Sequence, residues 1–387
     1  MASLTVDDYT IAWICALPIE AAAARVMLDK THPPPPQSTD PNAYEVGELN
    51  GHHIVIALLP TGVYGTVSAA AVVSRMRLTF PRLQFGLMVG IGGGVPSKDN
   101  NIRLGDVVVS KPGGRHGGVI QYNYGKAVQG GYFEQTGTLN KPPDILLTRL
   151  NQLQAKQITG DNDPISRIVQ SVLEQYPNMK ERCSLPEQYP DYLFYPSYHH
   201  ADDKDDCRKC DKEQLIKRRP RDTRNPHIHY GLIASADQVM KDSETRDRLA
   251  QQHGILCFEM EAAGLMDQLP CLVIRGFCDY CDSHKNKEWQ GYAALTAAAY
   301  TRVLLEVVPR QRNDSSHGSN SYWMVPFARN PRFVSREKEI ASLEEALAQE
   351  NGPARIAIHG LGGIGKTQIV LETAYRARAR GSSYSIF

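Results

Sequence analysis

The chain is 387 residues long and nearly neutral, with 43 Lys and Arg against 42 Asp and Glu and a formal charge of +1. That balance gives no global field to gather nucleic acid or an anionic membrane. The longest apolar runs, such as residues 54–59, are strand-sized, and eight cysteines scattered over this length do not resemble a disulfide framework; a cytoplasmic protein with no membrane span is expected.

The opening MASLTVDDYTIAWICALP is acidic ahead of its apolar run, unlike a signal peptide. TIAWICAL reads as a first strand leading into a helix over IEAAAA. Residues 32–40 hold four consecutive prolines, which can neither pair in a sheet nor continue a helix, so an exposed loop is expected there. HHIVIALLP, FGLMVGI and GDVVVS read as strands, with SAAAVVSRM as a helix among them. Residues 183–225 are polar and rich in Tyr, Pro, Asp, Lys and Arg, which fits an insertion. HYGLIAS, SETRDRLAQQ, EMEAAGLM, CLVIRG and GYAALTAAAYTRVLLEVV then read as strand, helix, helix, strand and helix. The class is α/β, a largely parallel sheet covered on both faces.

This first domain is placed at residues 1–312. The polar RQRNDSSHGSNSYW opens a linker over 313–335. Residues 336–387 follow as a separate module, with a helical pattern, the strand RIAIHG, and a glycine loop opening a second helix.

Two carboxylates stand out. Glu261, in FEMEAAGLM, would open a helix, and Asp279, in CLVIRGFCDYCD, would close an apolar strand. Such ends face ligands in an α/β sheet. Carboxylates there suit a substrate that carries hydroxyls and develops positive charge, as a nucleoside does when its N-glycosidic bond breaks.

Four segments, ICALPIEAAAA, LMVGIGGGVP, SADQVMKDSETRD and the FEMEAAG with RGFCD pair, together resemble the nucleoside phosphorylase and methylthioadenosine/adenosylhomocysteine nucleosidase superfamily over residues 9–309. The resemblance implies a three-layer fold with a mixed, largely parallel central sheet. It implies that Glu261 grips the ribose hydroxyls, that Asp279 meets the purine N7, and that Glu20, at the end of the first strand, holds the attacking water. It assigns substrate contacts to Gly90, Gly92, Gly93, Val239, Met240, Phe258, Glu259, Met260, Glu261 and Cys278.

The family often stacks the base on an aromatic near Val239; here Phe258 or Tyr280 is the substitute. Phosphorylases of this superfamily hold phosphate at positions that are Met88, Ile91 and Glu20 in this chain, a poor seat for a dianion. Hydrolysis of a purine nucleoside or nucleotide is therefore expected. A phosphorylase using Arg115 or Arg275, and a catalytically silent nucleoside sensor, remain the alternatives. The resemblance also suggests a homo-oligomer, and no cofactor for this chemistry.

Within the insertion, His199, His200, Cys207 and Cys210 offer ligands for one tetrahedral zinc of structural role, the alternative being a solvated loop with incidental cysteines. The basic residues Arg218, Arg219 and Arg221 are either solvated or a seat for nucleotide phosphates.

HGLGGIGKTQ contains the GxxxxGKT pattern, with Gly360, Gly365, Lys366 and Thr367 as its landmarks. Its amides would cradle phosphates, Lys366 would reach the β and γ oxygens, and Thr367 would hold magnesium. With the upstream WMVPFARNPRFVSREKEI it resembles the NB-ARC or NACHT-like opening of STAND P-loop NTPases in fungal NLR-like proteins. Mg-ATP or Mg-ADP is implied for a complete module. The acidic strand that would complete it is not in the sequence, so no ATPase activity is expected of this segment alone.

Overall fold

The computed structural model describes residues 4–34, 40–129, 132–160, 164–200, 207–310, 329–330, 333, 336–347 and 366–379. They belong to two units, Met1–Gln311 and Arg312–Phe387. The strands of the first unit are β1 (Ile11–Cys15), β2 (Lys30–Thr31), β3 (Tyr44–Leu49), β4 (His52–Leu58), β5 (Phe85–Gly94), β6 (Val107–Ser110), β7 (Val119–Gln121), β8 (Gly125–Val128), β9 (Tyr132–Gln135), β10 (Ile228–Ser235), β11 (Ile255–Glu259) and β12 (Cys271–Asp279). Its helices are α1 (Pro18–Arg25), α2 (Thr66–Thr79), α3 (Asp144–Ile158), α4 (Pro164–Gln175), α5 (Pro177–Cys183), α6 (Ser243–His253), α7 (Ala262–Leu265) and α8 (Gln290–Val307).

Local chemistry explains the borders. Pro18 sits in the first turn of α1, where its missing N–H costs nothing, and Glu20 turns back to accept from the Leu17 amide. Asp242 caps α6 by accepting from the Glu244 and Thr245 amides, and Gly254 ends that helix in the left-handed region at φ 76°. EMEAAGLM shows how strand and helix compete: β11 runs on to Glu259, so the helix begins only at Ala262.

The main sheet runs β11-β10-β6-β12-β5-β1-β4-β3-β2, with β7 on β10. Pairs β1–β4, β1–β5, β5–β12, β6–β10 and β10–β11 are parallel, while β6–β12 and β3–β4 are antiparallel. A further antiparallel pairing, Cys257 with Gly94 and Phe258 with Gly93, joins β11 back to β5. Strands β5, β12, β6, β10 and β11 thereby close on themselves, which brings both ends of the predicted site against one strand.

Alternation along the strands divides two cores. Ile11, Trp13, Cys15, Leu272 and Ile274 face one side, under α1, α3, α4 and the alanine-rich α8; Ala12, Ile14, Cys271 and Val273 face the other. The sheet is thus sandwiched between helical layers. The glycines at 90 and 92–94 lie in the last half of β5 itself. Helices α3, α4 and α5, which periodicity did not single out, supply the amphipathic cover over that first core.

In the second unit, α9 (Glu337–Leu347) lies beside α10 (Lys366–Ala379); Arg376 ties them by pairing with Glu337 at 2.6 Å, while its 2.9 Å contact with Glu372 stays within α10. Lys366 and Thr367 open α10. Gly360, Gly365 and the RIAIHG segment lie outside the described residues. Among those described, no helix is long and apolar enough to cross a membrane, and each of the eight cysteines is free.

Candidate active site

The glycines of β5 make room for charge. A Cβ on Gly90 would stand 2.2 Å from Glu20 Oε1 and 2.6 Å from Arg275 Nη1, and one on Gly92 would meet Cys257 Sγ at 2.6 Å. Only bare backbone lets these side chains lie across the strand. Arg275, fully buried in β12, is the centre: its Nη2 donates to Glu259 and lies 3.2 Å from Glu261 Oε2, and its Nη1 is 3.9 Å from Glu20. Three carboxylates converge on one guanidinium. Its Nε and Nη1 have no hydrogen-bond partner among the described residues.

Each carboxylate is held differently. Glu20 lies in the first turn of α1 rather than at the strand end, and accepts backbone N–H bonds from Ala16 at 2.7 Å, Leu17 at 2.9 Å and Ile91 at 2.8 Å. Burial raises its pKa, against the pull of Arg275 and of those amides. Glu259 accepts from the Glu261 and Ala262 amides as well as from Arg275, so it braces the start of α7. Glu261 is the residue before that helix; burial pushes its carboxyl up to about 7, with Arg275 opposing and Glu259 and Glu20 reinforcing the shift. Ser235, at the end of β10, fixes α7 by accepting from the Ala263 amide at 3.0 Å.

Asp279 ends β12 on a second cluster. Its Oδ1 accepts from the Cys281 amide at 2.9 Å, and its Oδ2 lies 3.0 Å from Lys285 Nζ and 3.2 Å from Cys278 Sγ. Gly93 is to this group what Gly90 is to the first, since a Cβ there would meet Asp279 Oδ1 at 2.6 Å and Cys281 Sγ at 2.1 Å. Cys281 itself sits at φ 55°, uncommon for a residue with a side chain. Among the described residues, no hydrogen bond or ion pair joins Asp279 directly to Glu20 or Glu261. The two clusters flank a shared neighbour: the buried Cys257 thiol, raised by desolvation, feels Arg275 and Glu259 as well as Asp279 and Lys285.

The remaining residues singled out by sequence are dispersed more widely. Phe258 is buried and meets Tyr122 edge to face, ring centres 5.4 Å apart; Met240 packs into the same cluster, Met260 is half-buried and Val239 is exposed. Tyr280 does not offer a free ring for stacking, because its hydroxyl is bound to Asp191 and to Arg218, the latter at 2.8 Å. Nor is the basic run an open phosphate seat. Arg218 pairs with Asp191 at 2.9 Å and Arg221 grips Asp106 with two bonds of 2.7 Å, so these arginines fasten the insertion to the domain. In the insertion, the donor atoms of His200, Cys207 and Cys210 lie within 4.8 Å of one another, whereas His199 is exposed and outside that group.

Three residues escaped the sequence reading of the site. Arg275, expected from sequence only as an alternative phosphate ligand, lies inside the apolar CLVIRGF, where an arginine announces a buried ion pair. Lys285 carries no spacing signal, six positions past Asp279 in a polar loop. The buried Tyr122 hydroxyl, without a hydrogen-bond partner among the described residues and pushed up to about 12 by desolvation, has none either.

No protein-family model matches the chain. It is 43% identical over 390 residues to a nucleotide-binding leucine-rich repeat (NLR)-like protein of Hyaloscypha variabilis, a match that takes in all of this chain. The chain spans 38% of that relative's length. Over 91 residues, 22% of this chain and 36% of the relative, it is 32% identical to 5′-methylthioadenosine/S-adenosylhomocysteine nucleosidase of Mycobacterium bovis. In three dimensions it resembles the same enzyme of Helicobacter pylori, solved with butyl-thio-DADMe-Immucillin-A, with a TM-score of 0.50 at 15% identity, covering 77% of this chain and 98% of that one. At that identity the likeness is one of fold.

Proposed function

We propose that the nucleosidase-like domain formed by residues 1–311 hydrolyses the N-glycosidic bond of a purine nucleoside or nucleotide. The observation that carries this reading is the meeting of Glu20 and Glu261 on Arg275 over the bare backbone of Gly90. Arg275, itself fully buried, holds the two acidic groups in register across β5.

In this scheme Glu261 accepts from the ribose hydroxyls, and that bond strengthens as the sugar gains oxocarbenium character. The C1′–N bond breaks with its electron pair passing to the base. Water adds to C1′ and gives a proton to Glu20, whose raised pKa brings it closer to the working range of a general base. Asp279, paired with Lys285, relays a proton taken up from solvent to the leaving base, and the proton left on Glu20 returns to solvent. The products are free base and ribose, or ribose phosphate.

Phosphorolysis has weaker support. Arg275 is outnumbered by three carboxylates, which repel a dianion, and Arg115 lies exposed in a separate segment. The test is release of free base, by liquid chromatography, from adenosine, inosine, guanosine, uridine, AMP and ATP with and without phosphate. Release in phosphate-free buffer supports the reading. Strict dependence on phosphate, or ligand binding without turnover, overturns it.

Within a longer chain, we take this domain to be the N-terminal effector of an NLR-like protein. The match of this chain to 38% of such a protein's length and the GxxxxGKT segment support that reading.

A further inference from the structure

We propose that Cys207, Cys210, His200 and His284 form a structural zinc site that clamps the insertion onto the segment carrying Asp279 and Lys285. This inference stands apart from the glycosidase reading.

The geometry begins with a tight turn. Cys207 opens a short 3-10 helix, Cys207–Lys209, and the Cys210 amide donates to the Cys207 carbonyl at 3.2 Å, so both thiols leave the same turn. Cys207 is buried and Cys210 half-buried. The donor atoms of these two and of His200 lie within 4.8 Å of one another. Around a tetrahedral zinc, with bonds of about 2.3 Å to sulfur and about 2.0–2.1 Å to nitrogen, ligand atoms lie roughly 3.5–4 Å apart. A small contraction therefore suffices.

His284 comes from the opposite side of the contact. It is 7% exposed, and its Nε2 has no hydrogen-bond partner among the described residues. The ring is fixed by stacking on Phe194, centres 4.1 Å apart, and its centre lies 5.4 Å from that of His200. Stacking engages the ring faces and leaves the in-plane nitrogens for a ligand. Asp282 Oδ1 accepts from the His284 amide at 2.9 Å and lies 3.8 Å from Nδ1, so it fixes the backbone of this residue while the ring is held by stacking. The Cys207 thiol already lies 3.6 Å from the His284 carbonyl. His284 stands outside the group whose donor atoms lie within 4.8 Å, so its ring must move in to complete the set; two cysteines and two histidines as donors suit zinc above other common divalent ions.

The consequence is positional. A cavity of about 40 Å³ between insertion and domain is lined by Cys207, Tyr192, Asp279, Tyr280 and His284, so the clamp would close beside Asp279. Lys285, next in sequence to His284, is the residue that pairs with Asp279.

The experiment is metal analysis of the untagged chain purified under reducing conditions, followed by exchange with cobalt(II). We expect about one zinc per chain and a thiolate-to-cobalt charge-transfer band. Cys207→Ser and Cys210→Ser should each lose the band, His284→Ala should release metal to a chelator more readily, and the exposed neighbour variant His199→Ala should behave as wild type. A reduced wild-type chain holding neither metal, or a Cys207–Cys210 disulfide with both thiols unreactive, overturns the site. Because the wild-type measurement decides it, misfolding of a variant does not rescue the idea. Metal content is also independent of turnover, so zinc without glycosidase activity, and the reverse, are distinguishable results.

Discussion

Glu20 and Arg275 face each other at 3.9 Å across the backbone of Gly90, at a place where a single methyl group would stand 2.2 Å from the carboxylate and 2.6 Å from the guanidinium. Gly90→Ala should therefore displace Glu20 while leaving the strand paired. A loss on the order of 100-fold in kcat/KM is expected, the scale of an ångström-sized misplacement of a catalytic group. Far-ultraviolet circular dichroism should be unchanged. Activity within twofold of wild type would mean that Glu20 has no part in the reaction.

Arg275→Met removes the one cation that pairs with these three buried carboxylates among the described residues. Breaking a buried pair from one side costs about 3–5 kcal/mol. Urea unfolding of the first domain should show a loss of that size, and the loss should shrink in acid as the carboxylates take up protons.

Glu261 gives a pH signature of defined sign. Its carboxyl is raised from 4.5 to about 7, so the folded chain binds this proton more tightly than the unfolded one. The associated stability is fully present below 4.5 and is lost as pH rises through about 7. Glu261→Gln should thus be more stable than wild type at pH 8, by several degrees in Tm, with the advantage vanishing below pH 4.5. Wild-type kcat/KM should climb through about pH 7 as the ribose-holding carboxylate ionises, and Glu261→Gln should have lost most of its activity at every pH.

Asp279→Asn and Lys285→Met probe the second cluster. The first is nearly isosteric and should fold normally, yet lose about 10²–10⁴-fold in turnover if Asp279 moves the proton to the base. The second leaves Asp279 buried with, among the described residues, only the Cys281 amide and Cys278 thiol as partners. It should lower the unfolding midpoint, which Asp279→Asn should not. Equal turnover in Asp279→Asn and wild type would remove Asp279 from the mechanism.

Arg221→Ala tests whether the basic run is a fastening or a phosphate seat. Asp106 also accepts from His229 and from the amides of Arg103 and His227, so losing Arg221 weakens one anchor of the insertion and spares the fold. Stability should fall, by about 3–5 kcal/mol at most. The ratio of AMP to adenosine cleavage should stay as in wild type, and a selective loss of nucleotide cleavage would restore the phosphate reading.

Much of this molecule is written locally. Continuous apolar runs mark β1 and β12 as strands buried on both faces, Pro18 and Asp242 open their helices, and the order of strands and helices makes an α/β domain, because these signals act over a few residues of backbone. Glu20, Glu261 and Asp279 could be singled out because each stands at the border of such an element. What periodicity does not encode is the partner of a buried charge. The sheet closes through β11 on β5, and that long-range pairing delivers Glu259 and Glu261 to Arg275, while separate loop contacts give Asp279 to Lys285 and turn Arg218, Arg221 and Tyr280 into fastenings. A carboxylate in a low-dielectric interior must find a cation or an amide, and which one it finds depends on strands and loops distant in sequence meeting in space.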